Sequence, residues 1–116
     1  MVLGLAVLGV GARTPALATH VTVTVVNPQG EPIPNAGVVL DQLSDLRGKK
    51  VKHGLNVELK SNRHGKADLG DFVEGRILIQ VIASGYETFG KVYLVRTPNY
   101  NVTVHLHAPR GQMSIY

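Results

Sequence analysis

From His20 to Asn27 the chain is apolar at every second position, Val21, Val23 and Val25, with Thr22 and Thr24 between them. A period of two gathers those valines on one face of an extended strand, whereas a helix would scatter them. The same pattern recurs in short runs along the chain. Strands are expected over His20 to Asn27, Ala36 to Leu43, Leu55 to Ser61, Lys66 to Phe72, Arg76 to Ala83, Glu87 to Val95 and Asn101 to His107. Turn signals separate them: Asn27-Pro-Gln-Gly30, Asn62-Arg-His-Gly65, Glu74-Gly75, Ser84-Gly-Tyr86 and Thr97-Pro-Asn99. Pro32 and Pro34 keep Glu31 to Asn35 out of any ladder. No run keeps helical periodicity for ten residues, and no internal repeat or low-complexity tract is evident. The expected fold is all-β: a seven-stranded antiparallel Greek-key β-sandwich.

Composition sets the limits of that fold. A chain of 116 residues, 44% hydrophobic, forms one domain. With no Trp and six aromatic residues, its core is made of Val, Ile, Leu and Ala. Alternation selects Val21, Val23, Val25, Val38, Leu40, Ile77, Ile79, Val81, Val102, Val104 and Leu106 for that core. The run over Arg76 to Ala83 is the most apolar, which makes it a central strand. The absence of Cys excludes disulfides, thiolate metal sites and a Cys nucleophile.

Residues 2 to 12 form an uncharged run ended by Arg13, followed by the small-residue triplet Ala16-Leu17-Ala18. That is the pattern of an export signal cleaved after Ala18. It falls short of the roughly 18 to 20 apolar residues that a membrane span needs, so no anchor is expected. The expected organisation is a signal over 1–18, a sandwich over 19–110 and a tail over 111–116, with the mature protein secreted or periplasmic.

The turn Gln29-Gly-Glu-Pro-Ile-Pro-Asn-Ala36 leads into Val38-Val-Leu40 and is followed by Ser61-Asn-Arg-His-Gly65. Gly75 through Ile79 to Ala83-Ser-Gly-Tyr86 completes the series. In that order these signals resemble the carboxypeptidase regulatory-like domain, a transthyretin-like, immunoglobulin-like β-sandwich. The resemblance implies a non-catalytic module for binding or for a structural role, and it transfers no catalytic residue and no cofactor.

Two further readings compete. A carbohydrate-binding module would use Tyr86, Phe89, Tyr93 and Tyr100 as a stacking platform. An enzyme is the more remote: His20-Val21 ahead of a Pro/Gly turn resembles the opening motif of 5-hydroxyisourate hydrolase. That family's terminal Tyr-Arg-Gly-Ser is missing, since Arg110-Gly111 leads into Gln112 and Met113. His105 and His107, two apart on a strand, share a face and would chelate a borderline metal, yet no Cys or nearby carboxylate completes such a set.

The net charge of +4 is unevenly spread. Between positions 45 and 66 stand Arg47, Lys49, Lys50, Lys52, Lys60, Arg63 and Lys66, against Asp45 and Glu58. Of these, Arg47, Lys49, Lys50, Lys52, Arg63 and Lys66 are the candidate contacts for an anionic partner, either a protein or a polysaccharide of the cell envelope. Export argues against nucleic acid.

Overall fold

The computed structural model describes residues 17–51 and 56–109. Within them lie seven strands and no helix: β1 (Ala18–Val26), β2 (Gly37–Asp45), β3 (Asn56–Lys60), β4 (Lys66–Val73), β5 (Gly75–Ile82), β6 (Phe89–Val95) and β7 (Asn99–His105). Each expected strand is present, with ends moved by one to two residues in most cases. They form two sheets, β4-β1-β7 and β3-β2-β5-β6. The proposed signal segment through Ala16 and the tail 111–116 lie outside the described residues. Ala18 already belongs to β1, so a cut after it would leave Thr19 inside the first strand.

Alternation sets the core. Val21, Val23, Val25, Val38, Leu40, Ile77, Ile79 and Val81 are fully buried, and Val102, Val104 and Leu106 nearly so. Ile33, Ala67, Leu69, Phe72 and Val95 join them between the sheets. Ile33 lies in the Pro-rich segment expected to stay out of any ladder. Its N–H nonetheless donates to the Val25 carbonyl at 2.9 Å, and Pro32 bridges Val26. Strand β5 is interior to its sheet, as its apolar composition requires.

The sandwich is not antiparallel throughout. Strand β7 pairs with β1 in parallel, from His20 opposite Asn99 to Val26 opposite His105. The connection after β6 passes to the other sheet at the end where β1 begins, where the His20 N–H donates to the Pro98 carbonyl at 2.8 Å. Strand β7 therefore starts beside β1 and runs the same way.

The opposite transfer, from β4 to β5, takes a single residue, Glu74. Gly75 turns this corner with φ of 145°, and the side-chain amide of Gln42 secures it. The Gln42 Nε2 donates to the Val73 carbonyl at 3.0 Å and its Oε1 accepts from the Val73 N–H at 2.9 Å. One side chain thus stands in for a strand neighbour and ties the two sheets together.

A local repeat emerges in the turns. Asn27–Glu31, Asp45–Lys49 and Asn62–Lys66 fold identically. In each, the N–H of the first residue donates to the carbonyl of the fifth, and the glycine N–H donates to the carbonyl of the first. The Oδ1 of the first residue also accepts from the N–H groups of the third and fifth. The shared pattern, Asx-x-x-Gly-x, is too short to register as a repeat, although each position has its reason. Asx supplies the acceptor and glycine takes the positive φ, 85°, 86° and 77° in turn.

Candidate functional site

The basic residues of positions 45 to 66 do not converge. Arg47, Lys49 and Lys50 are exposed on the turn that ends β2, while Arg63 and Lys66 are exposed on the turn between β3 and β4. Gly37 pairs with Lys60 at one end of β2, and Asp45 pairs with Gly75 at the other. At about 3.3 Å per residue the two turns are therefore separated by on the order of 25 Å, several screening lengths at physiological salt. The charges group as Arg47, Lys49 and Lys50 at one end and Arg63 and Lys66 at the other. Lys52 lies outside the described residues.

The Asp45 and Asn62 turns are held by the same set of bonds, and the Asp45 turn carries the denser charge, three cations against two. Asp45 Oδ1 accepts from both the Arg47 and Lys49 N–H groups at 2.9 Å, and the Asp45 N–H donates to the Lys49 carbonyl at 2.9 Å. The bond from the Lys49 N–H, aided by that from Arg47, holds the Asp45 carboxyl below its usual range. The backbone is fixed, and the cationic side chains project from it.

A second charged group, unforeseen in the sequence, lies on the outer face of the three-stranded sheet. His20 Nε2 is 2.6 Å from Asp68 Oδ1, and its Nδ1 is 2.7 Å from Asp71 Oδ1. In a regular strand, residues three apart point to opposite faces. Here a register shift opposite Val21, with Gly70 at φ of 90°, inserts an extra residue and turns both aspartates to the same face. The bonds to Asp71 and then Asp68 raise the His20 pKa above its ordinary 6.5.

A sign follows for stability. A histidine whose pKa is raised in the fold stabilises it fully below the unfolded value near 6.5, and that contribution fades as pH rises through the folded value. The melting temperature of the wild type should therefore fall between pH 6 and about 8 more than that of His20→Gln. Parallel pH profiles of the two proteins would show this pairing to be idle.

His105 and His107 are both exposed, with His107 beyond the end of β7. Among the described residues no group of three or more His, Asp or Glu is arranged to hold a metal ion. Tyr86, Phe89, Tyr93 and Tyr100 are partly buried against the core, and the Tyr93 and Tyr100 rings meet edge-on at 70° with centroids 6.0 Å apart. These two rings close the gap between β6 and β7 and are not coplanar on an exposed face. Burial, with Tyr100 adjacent, pushes the Tyr93 hydroxyl pKa up. No helix among the described residues is long and apolar enough to cross a membrane.

No family model matches the chain, and no curated protein matches it. Solved structures do share its fold. The chain is similar to 3-chlorocatechol 1,2-dioxygenase from Rhodococcus opacus 1CP, with a TM-score of 0.67 at 9% identity over 82% of this chain and 61% of that one. Hydroxyquinol 1,2-dioxygenase from Pseudomonas putida DLL-E4 gives 0.62 at 12% identity, over 84% of this chain and 59% of that one. The Bacillus anthracis TIE protein gives 0.59 at 14% identity, covering 79% of this chain and 17% of that one. The chain thus spans about three fifths of these dioxygenases. At such identities the likeness is one of fold, a two-sheet β-sandwich, and carries no chemistry with it.

Proposed function

We propose that this chain is an exported β-sandwich module, transthyretin-like and of the carboxypeptidase regulatory-like kind, which binds an anionic polysaccharide of the cell envelope at the Asp45–Lys50 turn. The family reading rests on the ordered turn and strand motifs from Gln29 to Tyr86, and export on the uncharged run over residues 2 to 12. The observation that carries the binding reading is the grouping of three exposed cations, Arg47, Lys49 and Lys50, on one fixed turn. Because Asp45 holds the backbone in place, Arg47, Lys49 and Lys50 lose only side-chain freedom when a polyanion engages them. Arg47 adds a planar fork for a carboxylate or sulfate, and the lysines add field strength that salt screens within about 8 Å.

The test compares two variants on an immobilised polyuronate. Arg47→Ser/Lys49→Ser/Lys50→Ser should elute at markedly lower salt than the wild type with little change in melting temperature. Arg63→Ser/Lys66→Ser, at the far end of the sandwich, should elute close to the wild type. Equal losses in the two variants would reduce the effect to overall charge, and wild-type retention indifferent to salt would overturn the proposal.

A further inference from the structure

Among the described residues, four strands form the edges of the two sheets, and they are not equally protected against pairing with another chain. Strand β3 is short and carries Glu58 and Lys60, and β4 carries Lys66, Asp68 and Asp71 and is distorted at Gly70. Strand β7 turns Asn99, Asn101, Thr103 and His105 to solvent. Charges, bulges and polar outward faces are the usual protections of a sheet edge. Strand β6, Phe89-Gly-Lys-Val-Tyr-Leu-Val95, has seven residues, one charge and no break in its register with β5. Its outward side chains include Val92 and Leu94, 50% and 42% exposed, with Val92 opposite Leu78 and Leu94 opposite Arg76 of β5.

We propose that β6 is a self-association edge: two copies of this chain pair antiparallel along β6, joining their four-stranded sheets into one of eight strands. The occupant is a second copy because β6 complements itself in one register. With Val92 on the two-fold axis, Val92 faces Val92, Leu94 lies over the space left by Gly90, and Phe89 faces Val95. The strand's one charge, Lys91, then sits opposite the second copy's Tyr93, the residue type it already covers within its own chain, where Nζ lies 5.3 Å from the Tyr93 ring centroid. Centring the pair on Lys91 instead would set two ammonium groups directly opposite, which is unfavourable. Centring it on Tyr93 would place Lys91 against the fully buried Val95 and Gly90 against Arg96. The Val92 register also continues an apolar row, Leu78–Val92–Val92–Leu78, across both outer faces.

The absence of Cys makes the register directly testable on the full chain. Val92→Cys places two thiols opposite each other, about 5 Å apart between Cα atoms and within disulfide reach. Leu94→Cys places them four residues out of step, roughly 13 Å apart and beyond reach. Under mild oxidation with copper–phenanthroline, Val92→Cys should form a covalent dimer nearly completely and Leu94→Cys little or none. Analytical ultracentrifugation should give twice the single-chain mass for the wild type and the single-chain mass for Val92→Lys, with Val92→Lys retaining its β-sheet circular dichroism. Should Val92→Lys fail to fold, the cysteine pair decides alone. A monomeric wild type at 100-fold dilutions from about 1 mM, or equal cross-linking at 92 and 94, would overturn the proposal. The first result would leave the edge to another occupant, such as residues 110–116 of the same chain, and the second would reduce contact to random collision.

Discussion

Gly75→Ala is expected to be strongly destabilising. A Cβ at this position would lie 2.1 Å from the Ser44 carbonyl oxygen and 2.6 Å from the Asp45 Cα and carbonyl carbon, all of them backbone atoms that cannot swing aside. The φ of 145° adds strain that only glycine avoids. The two costs together are expected to reach about 4 kcal/mol or more, against a total stability of about 5 to 15 kcal/mol for a domain. The damage falls on the one-residue corner where the chain leaves β4 for β5, so the sheets lose their register on each other. Gly48→Ala is the control. Gly48 also has a positive φ, 86°, but a Cβ there meets nothing within 4 Å, so conformational strain alone, about 1 to 2 kcal/mol, is expected. Urea unfolding of the two variants separates the effects, and a Gly75→Ala protein as stable as Gly48→Ala would show the corner to be slack.

Ile79→Ala is expected to cost about 2 to 5 kcal/mol, from lost transfer energy and the cavity left behind. Ile79 is fully buried on the interior strand β5, opposite Leu40 on β2 and flanked by Ile77 and Val81 on the same face. Neighbours hydrogen-bonded into ladders on both sides collapse poorly into the gap, which favours the upper part of the range. Ile82→Ala removes the same atoms from the same strand, where the side chain is 54% exposed, and should change stability by about 0.5 kcal/mol or less. Equal unfolding midpoints for the two would mean that the inward and outward faces of β5 had been misassigned.

These two experiments probe different kinds of information. The burial of Ile79 was legible in the sequence, because a period of two places Ile77, Ile79 and Val81 together whatever the strands pair with. The clash at Gly75 was not. Glu74-Gly75 reads as a turn, but nothing local says that Ser44 and Asp45, some thirty residues earlier, will press against it. The aromatic residues behave similarly. Their positions on strands were readable, and their use as an edge-on closure between β6 and β7, with rings at 70°, followed from which sheet each strand joined.

The charged groups show the same division. A run of cations between 45 and 66 is dense in sequence, yet β2 and β3 are antiparallel partners, so the intervening strand carries its two ends to opposite ends of the sheet. Density along the chain was thereby converted into two separate groups. His20, Asp68 and Asp71 went the other way, being far apart in sequence and joined by a bulge that puts two aspartates three apart onto one face.

By itself, then, the sequence determined seven strands, their inward faces and the places where the chain turns, because backbone sterics and a period of two act within a few residues. Only the tertiary structure decided which strands became neighbours, that β7 runs parallel to β1, which charges meet, and which of the described strands stand at the sheet edges. Those outcomes depend on how the chain crosses between sheets, after Val26, after Lys60, at Val73-Glu74-Gly75 and after Val95. Such crossings are settled by packing the two faces together, so contacts distant in sequence carry their energy and no local pattern announces them.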